Sequence, residues 1–368
     1  MLRKTGLLSA VCLLLLTSCS QDQHILERIG YIRTAGYDLQ EGGKLKITLS
    51  VPLIINEASQ TFQTDEILTT VATSSKEARI KLSRKTSRNL VSGQLRTILF
   101  NTDLAKQGLH KHMDTLLRDP SISKLTELVI VDGSAHEIMT SKYSGHPRTA
   151  QYIDRLLKKE FNMETTPRIL LHEFFRDYYD DGKDPIATML RKSGNDLELN
   201  GIALFRNDKY ITKLPPEDIF YFSIMYQNQG RGEFTVVTER PEMKSITFTA
   251  INSRKKIKIK KNQNGKYVAN IGLKIEGGVL EYIGNLDLST SDKNKLEGIM
   301  SEYISQQAKR IVGKLQHNRT DSLGIGQHVR NKMSYKAWKD TDWEDIYANM
   351  DIQVHAKFMI KNFGNFYD

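Results

Sequence analysis

"LRTILFNTDLAKQGLHKHMDTLLRDPSISKLTELVIVDG", residues 95–133, places two short apolar runs on either side of an amphipathic stretch. The runs near residues 97 and 129 are rich in Ile, Leu and Val and bounded by polar residues, the pattern of buried strands. Between them, "TDLAKQGLHKHMDTLLRD" brings Leu104, Leu109, Met113, Leu116 and Leu117 on or near one side, which predicts an amphipathic helix. Strand, helix, strand, helix is a mixed α/β pattern, and it sets the fold class as α+β.

The flanking sequence continues in kind. "KLKITLSV", Lys44 to Val51, alternates as a half-buried strand, and Ser74-Ser75-Lys76-Glu77 is a capping box opening a helix to about Arg88. "RTAQYIDRLLKKEF" and the stretch around Leu170 to Tyr179 read as helices. "NGIALFRNDKYI", Asn200 to Ile211, reads as two short strands joined by an Asn-Asp turn, and Pro215 to Asp218 open another helix. From Gly232 to Gly284 strand signals dominate, with "NQNG" at 262–265 as a turn. "SDKNKLEGIMSEYISQQAKRIVGKLQ" is the longest helical pattern, and "MDIQVHAKFMI" closes the chain as a strand. The main boundary falls near residues 193–200. The expected organisation is therefore a leader at 1–18, a tether at 19–27, an α/β region at 28–196 and a second at 197–368, the last with two lobes as an option.

The N-terminus fixes the expected address. Arg3 and Lys4 precede an apolar stretch from Gly6 to Leu16, about 11 residues, which suits a secretory leader and is too short to span a membrane. Leu16-Thr17-Ser18-Cys19 resembles the bacterial lipobox, in which the cysteine sulfur receives a diacylglyceryl group and the chain is cut before it. The competing reading is an ordinary cleaved leader with a chance cysteine. Two fatty chains hold a protein at a membrane where one is marginal. Cys12 would leave with the leader, so the mature chain would hold one cysteine, with no disulfide framework and no thiolate zinc site. No transmembrane helix is expected after Cys19.

With 39% hydrophobic and 26% charged residues the chain is of ordinary globular composition rather than disordered. Its formal charge of +10, two units of which leave with Arg3 and Lys4, suits an anionic leaflet, while a place outside the cytoplasm argues against a nucleic-acid partner.

Tests for chemistry fail one after another. His172-Glu173-Phe174-Phe175-Arg176 begins like a zinc helix, but arginine stands where the second histidine should. "DYYDDGKD", Asp177 to Asp184, begins like a calcium loop but puts Tyr179 and Thr188 at ligand positions, leaving a solvated acidic turn as the default. His110 and His112 point to different faces and read as surface residues. "GIGQHV", Gly324 to Val329, is an incomplete phosphate loop that lacks the third glycine and a preceding strand. "RKKIKIKK", Arg254 to Lys261, reads as an edge strand guarded by lysines in preference to a docking surface for anionic lipid or an acidic partner. Trp338 and Trp343 read as core aromatics. With no catalytic residue, metal ligand set or cofactor device in view, the chain reads as a binding or assembly component and not an enzyme.

Several segments, in order, resemble the C-subunit lipoproteins of the nutrient germinant receptors of endospore-forming bacteria. They are the lipobox at Cys19, "ERIGYIRTAGYDL", "NGIALFRNDKYITKL", the long helix, "TDSLGIGQHVRNK", "YKAWKDTDWEDIY" and the closing strand ending "IKNFG". The family often has Trp-Asp after the cysteine, whereas Ser20-Gln21 stand here. The resemblance implies an elongated arrangement of α/β domains. It implies a non-enzymatic receptor subunit on the outer face of the spore inner membrane, beside two integral membrane subunits, that helps trigger germination in response to nutrients. Cys19 would be acylated, and Asp321, Gly324, Gly326, Trp338 and Trp343 would be structural signature positions. The alternative is an extracytoplasmic small-molecule-binding lipoprotein of a transport system.

Overall fold

The structure is a computed structural model that describes residues 28–57, 60–286 and 290–362. Cys19, the expected leader and the tether lie outside them.

The opening stretch forms the centre of an eight-stranded sheet. β6 (Thr97–Asn101) and β7 (Glu127–Val131) are buried at every residue. They pair in parallel with each other, and with β2 (Thr34–Leu39) on one side and β8 (Ile186–Ser193) on the other. Antiparallel hairpins extend both ends. β3 (Leu45–Glu57) and β4 (Gln60–Ala72) follow β2, while β9 (Asp196–Arg206) and β10 (Lys209–Leu214) follow β8. A short parallel ribbon, β1 (Ile29–Tyr31) with β5 (Asn89–Val91), stands apart.

Alternation along the central strands explains their unbroken apolar sequence, because each face meets helices. Leu99, Val129 and Val131 pack with Ile138 and Met139 of α4 (Ala135–Thr140) and with Ile153 and Leu157 of α5 (Thr149–Asn162). Ile98, Phe100, Leu128 and Ile130 join the other apolar cluster, with α1 (Ser75–Ser83), α3 (His110–Leu117) and α6 (Leu171–Tyr179). Ser74 caps α1 by accepting from the Glu77 N–H at 3.2 Å, though Glu77 reaches back to the Thr73 N–H rather than to that of Ser74.

The single helix expected over residues 102–119 is two. α2 (Thr102–Gln107) stops at Gly108, whose φ of +109° no helix tolerates, and α3 begins again at His110. Asp208 holds the break from the β9–β10 turn. Its carboxylate accepts the His110 N–H at 2.9 Å and its carbonyl the Leu109 N–H at 3.1 Å. Helical periodicity alone could not reveal that an outside residue caps the second piece.

The boundary drawn between residues 196 and 197 passes through the start of β9, which still belongs to the large sheet. The change of sheet comes after Leu214, where a 3₁₀ turn, Pro216–Asp218, leads into α7 (Ile219–Tyr226). A four-stranded sheet follows in the order β11 (Phe234–Arg240), β12 (Met243–Lys261), β13 (Tyr267–Ile283), β14 (Asp351–Ile360). β14 runs parallel to β13, so the chain crosses between them through α8 (Thr290–His317), α9 (Ile325–Arg330), α10 (Tyr335–Lys339) and α11 (Trp343–Asn349).

α8 closes the outer edge of β14. The N–H groups of Ala356, Phe358 and Ile360 donate to Ser305 Oγ at 2.9 Å, Ser301 Oγ at 2.9 Å and Glu297 Oε1 at 2.8 Å. Four helical residues rise about 6 Å and two strand residues about 6.6 Å, so the two ladders keep step over three rungs. An edge that could recruit another chain is thereby satisfied within this one. Among the described residues no helix is long and apolar enough to cross a membrane.

Candidate functional site at the joint between the two halves

The chain leaves α8 and turns through Asp321 into α9. Asp321 is buried, and its carboxylate gathers three donors. Oδ1 accepts the Ile325 N–H at 2.9 Å, and Oδ2 accepts the Gly326 N–H at 2.6 Å and Trp343 Nε1–H at 3.1 Å. Gly324 permits the turn with a left-handed φ of +72°. The indoles of Trp338 and Trp343 lie 5.6 Å apart, and Trp343 meets the fully buried Tyr347 ring at 5.9 Å.

The other side of the joint is the acidic turn after α6. Asp321 donates its N–H to Asp184 Oδ2 at 2.7 Å, and the Asp184 N–H returns to the Asp321 carbonyl at 3.0 Å. The Gln327 N–H donates to the Gly182 carbonyl at 3.0 Å. Gly182 and Gly326 touch backbone to backbone. A Cβ on Gly326 would lie 2.6 Å from the Gly182 Cα and 2.6 Å from Trp343 Nε1, nearer than carbon atoms approach. At the rim, Arg330 Nη1 donates to Asp180 Oδ1 at 2.6 Å and to the Asp181 carbonyl at 2.6 Å, and Lys339 pairs with Asp181 at 2.9 Å.

Burial dominates the electrostatics of this joint. Desolvation pushes the Asp321 carboxyl up to about 7, outweighing its hydrogen bonds from Gly326, Ile325 and Trp343, with the nearby Asp184 charge adding to the rise. Desolvation likewise carries Asp184 up to about 6 against the N–H groups of Asn207 and Asp321.

The five positions that the resemblance singles out meet at one place: Asp321 binds the backbone of Gly326 and the ring of Trp343, Gly324 turns the chain, and Trp338 backs Trp343. The two motifs set aside for want of chemistry are opposite sides of the same joint. "GIGQHV" does not offer its helix N-terminus to a phosphate, because the Asp321 carboxylate already takes the N–H groups of Ile325 and Gly326. In "DYYDDGKD", Asp177 is buried and paired with Arg176 at 2.8 Å and Lys183 at 2.9 Å, so it is not part of a solvated turn. Sequence reasoning weighed Gly182 and Asp184 only as parts of a calcium loop, not of a joint, and missed Tyr347, whose place in "WEDIYANM" carries no local signal of its burial.

Elsewhere, His110 is half-buried at the surface, beside the exposed Tyr179. Its Nε2 lies 2.8 Å from the Tyr179 hydroxyl and its ring 5.0 Å from that of Tyr178. His172 donates from Nδ1 to the Lys124 carbonyl at 2.8 Å. Among the described residues no cluster of three or more His, Cys, Asp or Glu side chains is arranged to hold a metal ion.

The joint unites two stretches that known proteins also carry together. Residues 22–192 match a family model described as the spore germination protein N-terminal domain, and residues 200–364 match one described as spore germination B3/GerAC like, C-terminal. The spore germination protein GerQC of Bacillus cereus is 28% identical over 362 residues, covering 98% of this chain and 99% of that protein. The chain belongs to the germinant-receptor C-subunit family. Spore germination protein B3 of Bacillus subtilis (strain 168) is 23% identical over 372 residues, 97% of each chain. The crystal structure of the GerBC protein shares the fold, with a TM-score of 0.59 at 20% identity over 91% of this chain and 99% of that one. Membership of the C-subunit family ties the chain to spore germination.

Proposed function

We propose that this C-subunit is a lipid-anchored, non-enzymatic part of a nutrient germinant receptor. It would be held at the outer face of the spore inner membrane through Cys19, beside two integral membrane subunits. The observation that carries the reading is the match to both family regions across nearly the whole chain. The geometry of the joint supports it, because the half-buried Asp184 carboxylate accepts the Asp321 N–H across the joint and the buried Asp321 carboxylate caps the N–H groups of Ile325 and Gly326, so both are occupied by main chain rather than facing a cavity. An anchor raises the local concentration of the body beside its membrane partners, so weak contacts suffice for assembly. Replacing Cys19 by Ala should release the protein from the membrane and lower the germination response. A full response from a released variant refutes the reading.

One observation favours a second reading, small-molecule capture in the manner of a transport system's binding protein. A cavity of about 330 Å³ lies beside α7 and β11, walled by Phe220, Tyr221 and Phe234 and rimmed by Glu164 and Glu217. Pockets of this size with few polar groups hold small ligands. Titration calorimetry of the purified chain with candidate nutrients decides between the two readings.

A further inference from the structure

The small sheet has one face packed in the core and one face open. On the open face β12 presents Arg254, Lys256, Lys258 and Lys260, all exposed. Register carries the charge across the sheet. Arg254 is opposite Lys274 of β13, which is opposite Lys357 of β14, so three cations stand in one row on three adjacent strands. Neighbouring strands lie about 4.8 Å apart, and like charges directly opposite one another destabilise a sheet. Two carboxylates lie near these cations, Asp351 in the row of Lys260 and Glu276 in the row next to Lys274, and Glu276 is already bridged by Lys274 at 3.2 Å and Lys361 at 2.9 Å. Lys256, Lys258 and Lys260 make no ion pair among the described residues. Guarding an edge against aggregation calls for charge on one strand. It gives no reason for a row that crosses three.

We infer that this open face of the small sheet, centred on Lys256, Lys258, Lys274 and Lys357, docks the body onto an anionic phospholipid surface. The chemistry of the face selects that occupant. Protein interfaces are depleted in lysine and organised around buried aromatic anchors. Sheet faces that bind single-stranded nucleic acid carry aromatic rings for stacking. This face has lysines and small or polar residues, among them Gly272, Asn270 and Gln353; its one ring in these rows is the His355 imidazole opposite Gly272, with no Phe, Tyr or Trp to form a stacking platform. Mobile point charges on a flat surface match a layer of lipid phosphates, each contributing a fraction of the attraction. The choice of a lipid surface over other polyanions rests on the membrane-anchored reading above. The face and the anchor can nevertheless be tested separately.

The test is partition of the full chain onto vesicles of phosphatidylcholine alone and with phosphatidylglycerol added, at about 0.1 M and about 1 M salt. Binding to neutral vesicles reports the N-terminal anchor, and the increment on anionic vesicles reports the face. That increment should vanish at high salt. The triple variant Lys256→Gln, Lys258→Gln, Lys260→Gln should weaken it about 100-fold, at roughly fivefold per lysine. A control triple elsewhere on the surface, Lys111→Gln, Lys142→Gln, Lys336→Gln, removes the same net charge and should leave most of the increment. Equal loss in both variants, or no increment in the wild type, overturns the inference. So does a face variant that loses binding to duplex DNA or polyglutamate while keeping its lipid increment.

Discussion

Replacing Gly326 by Ala sets local preference against the joint. Gly326 lies in α9 without a left-handed φ, so alanine meets no backbone strain and should favour the helix by about 1 kcal/mol. The added methyl would lie 2.6 Å from the Gly182 Cα and 2.7 Å from the Gly182 carbonyl oxygen. Carbon atoms rest about 3.5–4 Å apart, so the two backbones must separate by about 1 Å. Moving the Trp343 ring, 2.6 Å away at Nε1, cannot relieve this, because the other two contacts are with Gly182 main chain. Overpacking of this kind costs about 1–3 kcal/mol, and the separation also stretches the Gln327 N–H bond to the Gly182 carbonyl. The net expectation is a loss of about 1–2 kcal/mol. Gly298 and Gly313 provide the contrast, since both are exposed on α8 and a Cβ at either meets nothing within 4 Å. Alanine there should stabilise by about 0.5–1 kcal/mol each. Equilibrium denaturant unfolding of the three variants gives the comparison. A Gly326→Ala chain as stable as the Gly298→Ala chain would refute the close approach of the two halves.

Asp321→Asn keeps one acceptor but turns an amide N–H toward donors, so it should cost about 2–3 kcal/mol and change the fluorescence of Trp343. The raised carboxyls predict the sign of a pH dependence: between about pH 4 and 7 the unfolded chain has lost protons that the folded chain retains on Asp184 and Asp321, so stability from this pair falls as pH rises. Asp184 alone, moved from 3.8 to about 6, corresponds to about 3 kcal/mol, and thermal melts of Asp184→Asn across that range should show a flatter profile than wild type. Ser301→Ala leaves the Phe358 N–H of the β14 edge without its acceptor; after a small gain in helix preference, denaturant melts should register a loss of about 1 kcal/mol.

Much of the fold was legible because apolar period reports burial. β6, β7, α5, α6, α8 and β14 lie where period 2 or 3.6 places them, and the turns at 207–208 and 262–265 follow from Asn, Asp and Gly. What could not be read is whatever depends on a distant partner. Nothing local announces that Asp208 will split the helix at Gly108. No short-range signal shows that β9 and β10 complete the large sheet, because an antiparallel hairpin looks the same whether it ends one sheet or begins another.

The site was legible in a different sense. "DYYDDGKD" and "TDSLGIGQHVRNK" each look like a binding device with a part missing, and that incompleteness is physical. A carboxylate near helix N–H groups, or glycines that let backbone approach backbone, serve ligand binding when the other side is a solute. The same devices serve assembly when the other side is protein. Asp321 satisfies N–H groups that a phosphate would otherwise meet, and Gly182 receives Gly326 at a distance usually reserved for a ligand. Inter-domain contacts within a chain ordinarily resemble transient interfaces and leave the parts free to move. Here an apolar cluster runs continuously from Phe205 and Leu214 through Phe222 to Ile325, and the polar groups at its border are bonded across the joint. A force applied to one half therefore reaches the other through packed side chains and bonded main chain.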